Sequence, residues 1–186
     1  MLKISILSTL IAFSLIFNAC SKKEDTTQEA NEMLSANEFV LTGLDKKQYV
    51  IKKQGHGFIL KDAKNKVIML DIFATWCPPC RAEASHLASL QKKYKNSLVV
   101  IGVTVENNIK NSKLENFRND NGANYVLVNS NENGLLIDAV ASELQVGNDF
   151  GIPLMAMYKN GKLINFYQGA TEEEFIQNDI KKALGR

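Results

Sequence analysis

The sequence predicts an α/β fold in which a mixed β-sheet is sandwiched between helices, with an N-terminal hairpin extension ahead of it. Three observations predict this. Two nearly continuous apolar runs, KVIMLDIFA and SLVVIGVTV, read as strands covered on both faces. Segments with helical spacing follow such strands, the alternation of an α/β chain. Near its end the chain has two strand-like runs joined at Asn160-Gly161, the favoured two-residue hairpin turn, and then a closing helix.

Composition sets the frame. The chain has 186 residues, 45% hydrophobic and 23% charged, enough for one domain with a proper core. Its net charge of +2 comes from 22 basic and 20 acidic residues mixed along the sequence, which argues against a nucleic-acid partner.

Residues 1–19 are predicted to be a signal peptide. MLKISILSTLIAFSLIFNAC has one lysine and then no charge from Ile4 to Ala19, about the length of a signal-peptide core and short for a membrane span. The closing FNAC resembles a bacterial lipobox, which implies lipidation of Cys20 and cleavage before it. It departs from that pattern at Phe17, where leucine is usual, and at Asn18, where a small residue is usual. An ordinary signal peptide and an uncleaved anchor stay open as alternatives. Cysteine usage supports lipidation independently: three cysteines in an exported chain leave one odd thiol, and acylation of Cys20 removes it. Cys77 and Cys80 can then pair only with each other or with a partner protein. Residues 20–37, containing SKKEDTTQEANEMLSAN, are too polar to bury a face and read as a flexible tether.

The folded domain is predicted over residues 38–186. EFVLTG and KQYVIKK alternate around LDKK as a hairpin, with GFIL as a further strand. KVIMLDIFA leads directly into the cysteine pair, and Leu87, Leu90 and Tyr94 beyond it recur at helical spacing. After the strand SLVVIGVTV, SKLENFRNDNG reads as a helix with Ser112 as N-cap and Gly122 as its stop. NYVLVN is a strand and NGLLIDAVASELQV a helix. TEEEFIQNDIKKALG is the last helix, opened by a Thr171–Glu174 capping box.

The stretch that carries chemistry is FATWCPPCRAE. Covalent haem attachment needs histidine after the second cysteine, where Arg81 stands. A zinc site needs four ligands, and beyond the pair only His56 and His86 are on offer, at spacings unlike the usual finger. As a structural clip, so short a loop restricts the unfolded chain little. A redox dithiol is the reading that gains.

FATWCPPCRAE resembles the active site of thioredoxin-fold thiol-disulfide oxidoreductases, and is most similar to the membrane-anchored TlpA/ResA-like reductases of the bacterial cell envelope. The resemblance runs from about Glu38 to Arg186 and includes FGIP and a central strand-helix insertion between Tyr125 and Val146. It implies a thioredoxin-like fold with Cys77 and Cys80 as the catalytic, disulfide-forming pair. Physical chemistry agrees with the roles. A thiolate is the attacking species, and Cys77 at a helix N-terminus gains the dipole's positive end. Cys80, one turn inward, is expected to be less exposed and to resolve the mixed disulfide. Pro78 and Pro79 fit a first helical turn, where an N–H is spare, and stiffen the motif. Trp76 is placed beside the site as a substrate contact, with a plain core position as its alternative.

Asp71 is the one charge in a strand covered on both faces, so its carboxyl is expected to have a raised pKa. It lies six residues before Cys77, where thioredoxins carry a buried aspartate that helps deprotonate the second cysteine through water. Many TlpA-like proteins have asparagine there. A strand-end carboxylate reaching solvent is the other reading. Pro153 is the third proline of the chain; the resemblance implies that it is cis, faces the cysteines, and follows a residue, Ile152, whose backbone binds an extended substrate.

The chain departs from the family pattern at Ser85, where a helix-kinking proline is usual, and at Leu154, where threonine is usual. Glu83 and Glu106 are expected on the solvated surface, with an influence on the thiol pKa values as the open alternative, and His56 and His86 in structural roles. The resulting expectation is a monomeric, exported, lipid-anchored enzyme acting on protein thiols and disulfides, most simply a reductase of clients such as apocytochrome c. A disulfide oxidant or isomerase is the alternative within that class, and a peptide-binding chaperone module without redox turnover the alternative outside it. No glycine-rich phosphate loop, dinucleotide fingerprint or second cysteine pair occurs, so no cofactor and no metal are expected. Electrons for a reductase would then come from a transmembrane thiol-disulfide carrier.

Overall fold

In the computed structural model of the chain the described residues are 37–186. The predicted signal peptide, Cys20 and nearly all of the tether lie outside them. Three strands, β1 (Glu38–Thr42), β2 (Gln48–Lys53) and β3 (Phe58–Leu60), form an antiparallel sheet in that order. The hairpin register pairs Glu38 with Lys52 and Thr42 with Gln48, and Lys52 and Glu38 make an ion pair across it.

The main sheet has five strands in the order β6-β5-β4-β7-β8. The central strand β4 (Val67–Phe73) runs parallel to β5 (Leu98–Thr104), which runs parallel to β6 (Val126–Val128). On its other side β4 is antiparallel to β7 (Leu154–Lys159), which turns into β8 (Lys162–Gln168). Asn160 and Gly161 at that turn have φ of 51° and 74°, the left-handed pair that a type I′ hairpin requires. The helices are α1 (Pro78–Lys93), α2 (Asn111–Asn121), α3 (Asn133–Leu144) and α4 (Glu173–Ala183).

Every residue of β4 is buried, as its unbroken apolar run predicts, and its pleat sorts them into two cores. Val67, Met69 and Phe73 meet Leu87 and Leu90 of α1, Phe117 of α2 and Ile176 of α4. Ile68, Leu70 and Ile72 meet α3 and the small sheet, through Val140, Phe39, Ile51 and Phe58. Asp71 shares the parity of Met69 and Phe73. It therefore faces the side that holds α1 and the cysteines.

The hairpin extension is sewn to the insertion. Gly43 bridges Val128, Leu44 N–H donates to the Leu127 carbonyl at 3.0 Å, and Asn129 N–H donates to the Thr42 carbonyl at 2.8 Å. Most of the short β6 edge is covered in this way.

Two caps differ from expectation. Helix α2 starts at Asn111, one residue before Ser112, with Lys110 in the cap position and no side-chain cap bond; Asn111 Oδ1 instead accepts from Asn129 Nδ2 at 2.6 Å. Its stop is the expected one, Gly122 at φ 66°. Helix α4 starts after Glu172, and the Thr171–Glu174 box does not form. Thr171 N–H is drawn instead to the buried carboxylate of Glu83, at 2.7 Å. Among the described residues no helix is long and apolar enough to cross a membrane.

Candidate active site

The site is built where β4 ends and α1 begins. Cys77 is the N-cap of α1, in extended backbone, and its Sγ accepts the N–H of Cys80 at 3.2 Å. Pro78 and Pro79 fill the first two helical positions and withhold no N–H that the helix needs. No acidic residue occupies the first turn, so the positive end of the helix dipole is left to the sulfur. Cys77 and Cys80 are joined by a disulfide.

The two cysteines are equally hidden, at 2% and 3% exposure, which corrects the expectation that Cys80 would be the less exposed. The reason is a cover over Cys77: its Sγ lies 3.7 Å from the carbonyl oxygen of Ile152. The Ile152-Pro153 bond is cis, as the resemblance implies. Trp76 stands beside the pair with 61% of its surface exposed, so it is no core residue. Leu154 is buried in β7, and Ser85 is exposed on α1.

Thr75, two residues before Cys77, is clamped from both sides. Its N–H and hydroxyl donate to the Glu106 carboxylate at 2.6 and 3.0 Å, and its carbonyl accepts from Arg81 Nε at 2.9 Å. Glu106 is thus no freely solvated surface acid, because the peptide leading into the motif holds it. Glu83 corrects the same expectation more sharply. It is 1% exposed on the inner face of α1, and Thr171 N–H donates to its Oε2. Burial raises its pKa, the hydrogen bond from Thr171 and the charge of His86 oppose that, and Glu172 and Glu173 reinforce it. His56 lies on an exposed turn before β3, whereas His86 is half-buried one helical turn beyond Glu83.

Asp71 is 3% exposed, so it does not reach solvent from the strand. Its Oδ2 accepts the hydroxyl of Tyr125 at 3.0 Å, and its Oδ1 has no hydrogen-bond partner among the described residues. Burial pushes the Asp71 pKa up to about 7, with the Tyr125 hydrogen bond opposing and the negative charge of Glu83 adding to the rise.

The structure therefore brings Cys77, Cys80 and the Ile152 carbonyl together just beyond the C-terminal end of β4, with Trp76 preceding Cys77 and Pro153 following Ile152 in the chain, and places Asp71 beneath the helix that carries the cysteines. Sequence reasoning missed three contributors: Tyr125, Thr75 and the buried placement of Glu83. Glu83 left a trace, since it stands three residues after Cys80 and next to buried Ala84 on the face that continues to Leu87.

Such a site can exchange disulfides, and the relatives agree. The AhpC/TSA family profile matches residues 34–171. The chain is 35% identical over 98 residues to thioredoxin-like protein YneN of Bacillus subtilis, a match covering 53% of this chain and 51% of that one, so it spans about half of that relative's length. It is 26% identical over 183 residues to thiol-disulfide oxidoreductase ResA of Bacillus thuringiensis, covering 95% and 90% of the two chains. Among solved structures, a thioredoxin-family thiol:disulfide interchange protein from Chlorobium tepidum superposes with a TM-score of 0.64 at 23% identity, over 80% of this chain and 94% of that one. The fold is thioredoxin-like.

Proposed function

This chain belongs to the AhpC/TSA family, and from that premise we propose that it is a thiol-disulfide oxidoreductase that reduces protein disulfides in the cell envelope. The observation that carries the reading is the placement of Cys77: the cap of α1, with the Cys80 N–H on its sulfur and the Ile152 carbonyl above it. In the reduced protein the same N–H and the helix dipole would favour the Cys77 thiolate.

The cycle follows from that geometry. Cys77 thiolate attacks one sulfur of a client disulfide, a Cys77–client S–S bond forms, and the other client sulfur leaves with the electron pair. Cys80 then gives its proton to Asp71 and attacks Cys77 Sγ. The Cys77–Cys80 bond forms, the mixed disulfide breaks, and the second client sulfur leaves as thiolate and takes a proton from water. The client gains two electrons and the protein loses two. An extended client would lie against the backbone of Ile152 and Pro153, and the exposed Trp76 beside Cys77 would offer a further contact.

The direction is argued from the dipeptide between the cysteines. Pro78-Pro79 lacks the histidine that stabilises the thiolate in strongly oxidising couples, so the reduced form is not specially favoured and the protein donates electrons. Apocytochrome c before haem attachment is a fitting client. The N-terminal segment with Cys20 would tether the domain to a membrane, where a transmembrane dithiol carrier would recharge it. Thiol trapping in intact cells tests this direction. A mostly reduced protein that becomes oxidised when the carrier is deleted supports the reductase; a mostly oxidised protein indifferent to that deletion refutes it.

A further inference from the structure

Beside the cysteines a cleft of about 390 Å³ opens between the start of α1 and one face of α2, a size within the range of ligand-holding clefts. Thr75 and Trp76, just before Cys77, and Arg81, just after Cys80, line it from the motif; Lys113, Asn116 and Asp120 line it from α2. The residues flanking the pair on both sides thus share one opening. Cys77 and Cys80 are themselves 2% and 3% exposed, so a client that reaches them must rest on their neighbours. Trp76, 61% exposed, is the large apolar surface that adjoins them in the chain.

The cleft holds charge that the fold does not use. Lys113 stands in the first turn of α2, where a cation opposes the helix dipole, and neither an acidic residue nor a side-chain cap bond offsets it there. Arg81 donates its Nε–H to the Thr75 carbonyl at 2.9 Å, and among the described residues its other guanidinium nitrogens have no hydrogen-bond partner. No carboxylate among the described residues lies within ion-pair distance of either cation. Of the nearby acids, Glu106 is turned to Thr75, and Asp120 stands two turns along α2 from Lys113, about 10 Å at 1.5 Å per residue. Two exposed cations therefore face the cleft against the single carboxylate of Asp120.

We propose that this cleft receives the stretch of client chain next to the reactive disulfide and favours clients that carry an acidic side chain there. The inference rests on the oxidoreductase reading above and adds the class of client that it prefers. A client carboxylate laid over Arg81 and Lys113 gains partners at little desolvation cost, because both groups stay exposed. The exposed Asn116 amide adds a donor and an acceptor for the client backbone. Charges placed at the rim of a contact act chiefly on the rate of encounter and on its salt dependence.

The test uses the reduced full-length protein and short peptides held as symmetrical disulfide dimers, identical except for Glu or Lys on either side of the single cysteine. In dilute buffer near neutral pH, with each rate divided by that of dithiothreitol, the Glu peptide should be reduced about fivefold faster than the Lys peptide, the scale of one exposed ion pair. Salt at about 1 M, where the screening length is about 3 Å, should remove the preference. Lys113→Glu should cancel or reverse it, and the loss of a cation from the first turn does not weaken α2. Lys64→Glu, exposed just before the opposite end of β4, should keep it. Equal wild-type rates overturn the proposal, as does a preference that Lys113→Glu leaves intact or that Lys64→Glu abolishes as well. A protein that reduces neither the peptides nor 2-hydroxyethyl disulfide instead refutes the oxidoreductase reading, so the two failures are distinct.

Discussion

Tyr125 donates its hydroxyl hydrogen to Oδ2 of Asp71 at 3.0 Å, joining the residue just ahead of the β6 edge strand to the buried acid of the central strand. A hydrogen bond to a carboxylate favours its charged form, while burial and the charge of Glu83 favour the neutral one. The balance leaves Asp71 near pH 7, where a group can both take and release a proton.

Removing the donor should shift that balance in a known direction. Tyr125→Phe should move the Asp71 midpoint above about 7, since a hydrogen bond to a charged group contributes about 1.5–3 kcal/mol. The pH profile of internal disulfide closure would move upward with it. An unshifted profile would mean that the Tyr125 hydroxyl does not act on Asp71.

Asp71→Asn should slow resolution near neutral pH, leave alkylation of Cys77 much less affected, and not weaken folding. The linkage has a definite sign. The pKa of Asp71 is raised from 3.8 to about 7 on folding, so the native state binds the extra proton between those values. The stability this supplies is full below about pH 4 and is lost as pH rises through 7. Relative to the wild type, the asparagine variant should therefore gain stability from pH 4 to pH 8, on the order of 4 kcal/mol for a shift of this size. Denaturant titrations across that range would measure it, and parallel curves for the two proteins would contradict it.

Gly102 pairs with Asp71 in the β4–β5 register, and a Cβ there would sit 2.7 Å from Leu127 Cδ2 and 3.1 Å from Tyr125 Cε2. Gly102→Ala should cost about 1–3 kcal/mol through overpacking and push the Tyr125 ring off Asp71. Its effect on the pH profile should resemble that of Tyr125→Phe. A stable variant with a wild-type profile would argue that the ring accommodates the methyl group elsewhere.

The cysteines should be unequal in reactivity although they are equally buried. Cys77→Ser should abolish exchange with clients, whereas Cys80→Ser should still attack and then accumulate mixed disulfides. Trapping by Cys80 alone would reverse the assignment of roles.

Much of this was legible in the sequence because the relevant signals are local. The unbroken apolar run around Asp71 required a strand covered on both faces, and burial of the acid followed. The Pro-Pro pair after Cys77 fixed the start of α1, and Asn160-Gly161 fixed the last hairpin. What was not legible depends on distant partners. Glu83 looks like one more surface acid until Thr171, 88 residues later, delivers an N–H to it, and that same bond withdraws Thr171 from its expected cap. Glu106 is held by Thr75 across 31 residues. Tyr125 reads as an ordinary apolar-run residue until the fold brings its hydroxyl to Asp71.

The reduction potential of the Cys77–Cys80 couple, equilibrated against glutathione or dithiothreitol, decides whether the protein donates or withdraws electrons. A reductase without special stabilisation of its thiolate should equilibrate toward the reducing end, near about −250 mV or below. A value near about −120 mV, where strong disulfide oxidants lie, would contradict the account.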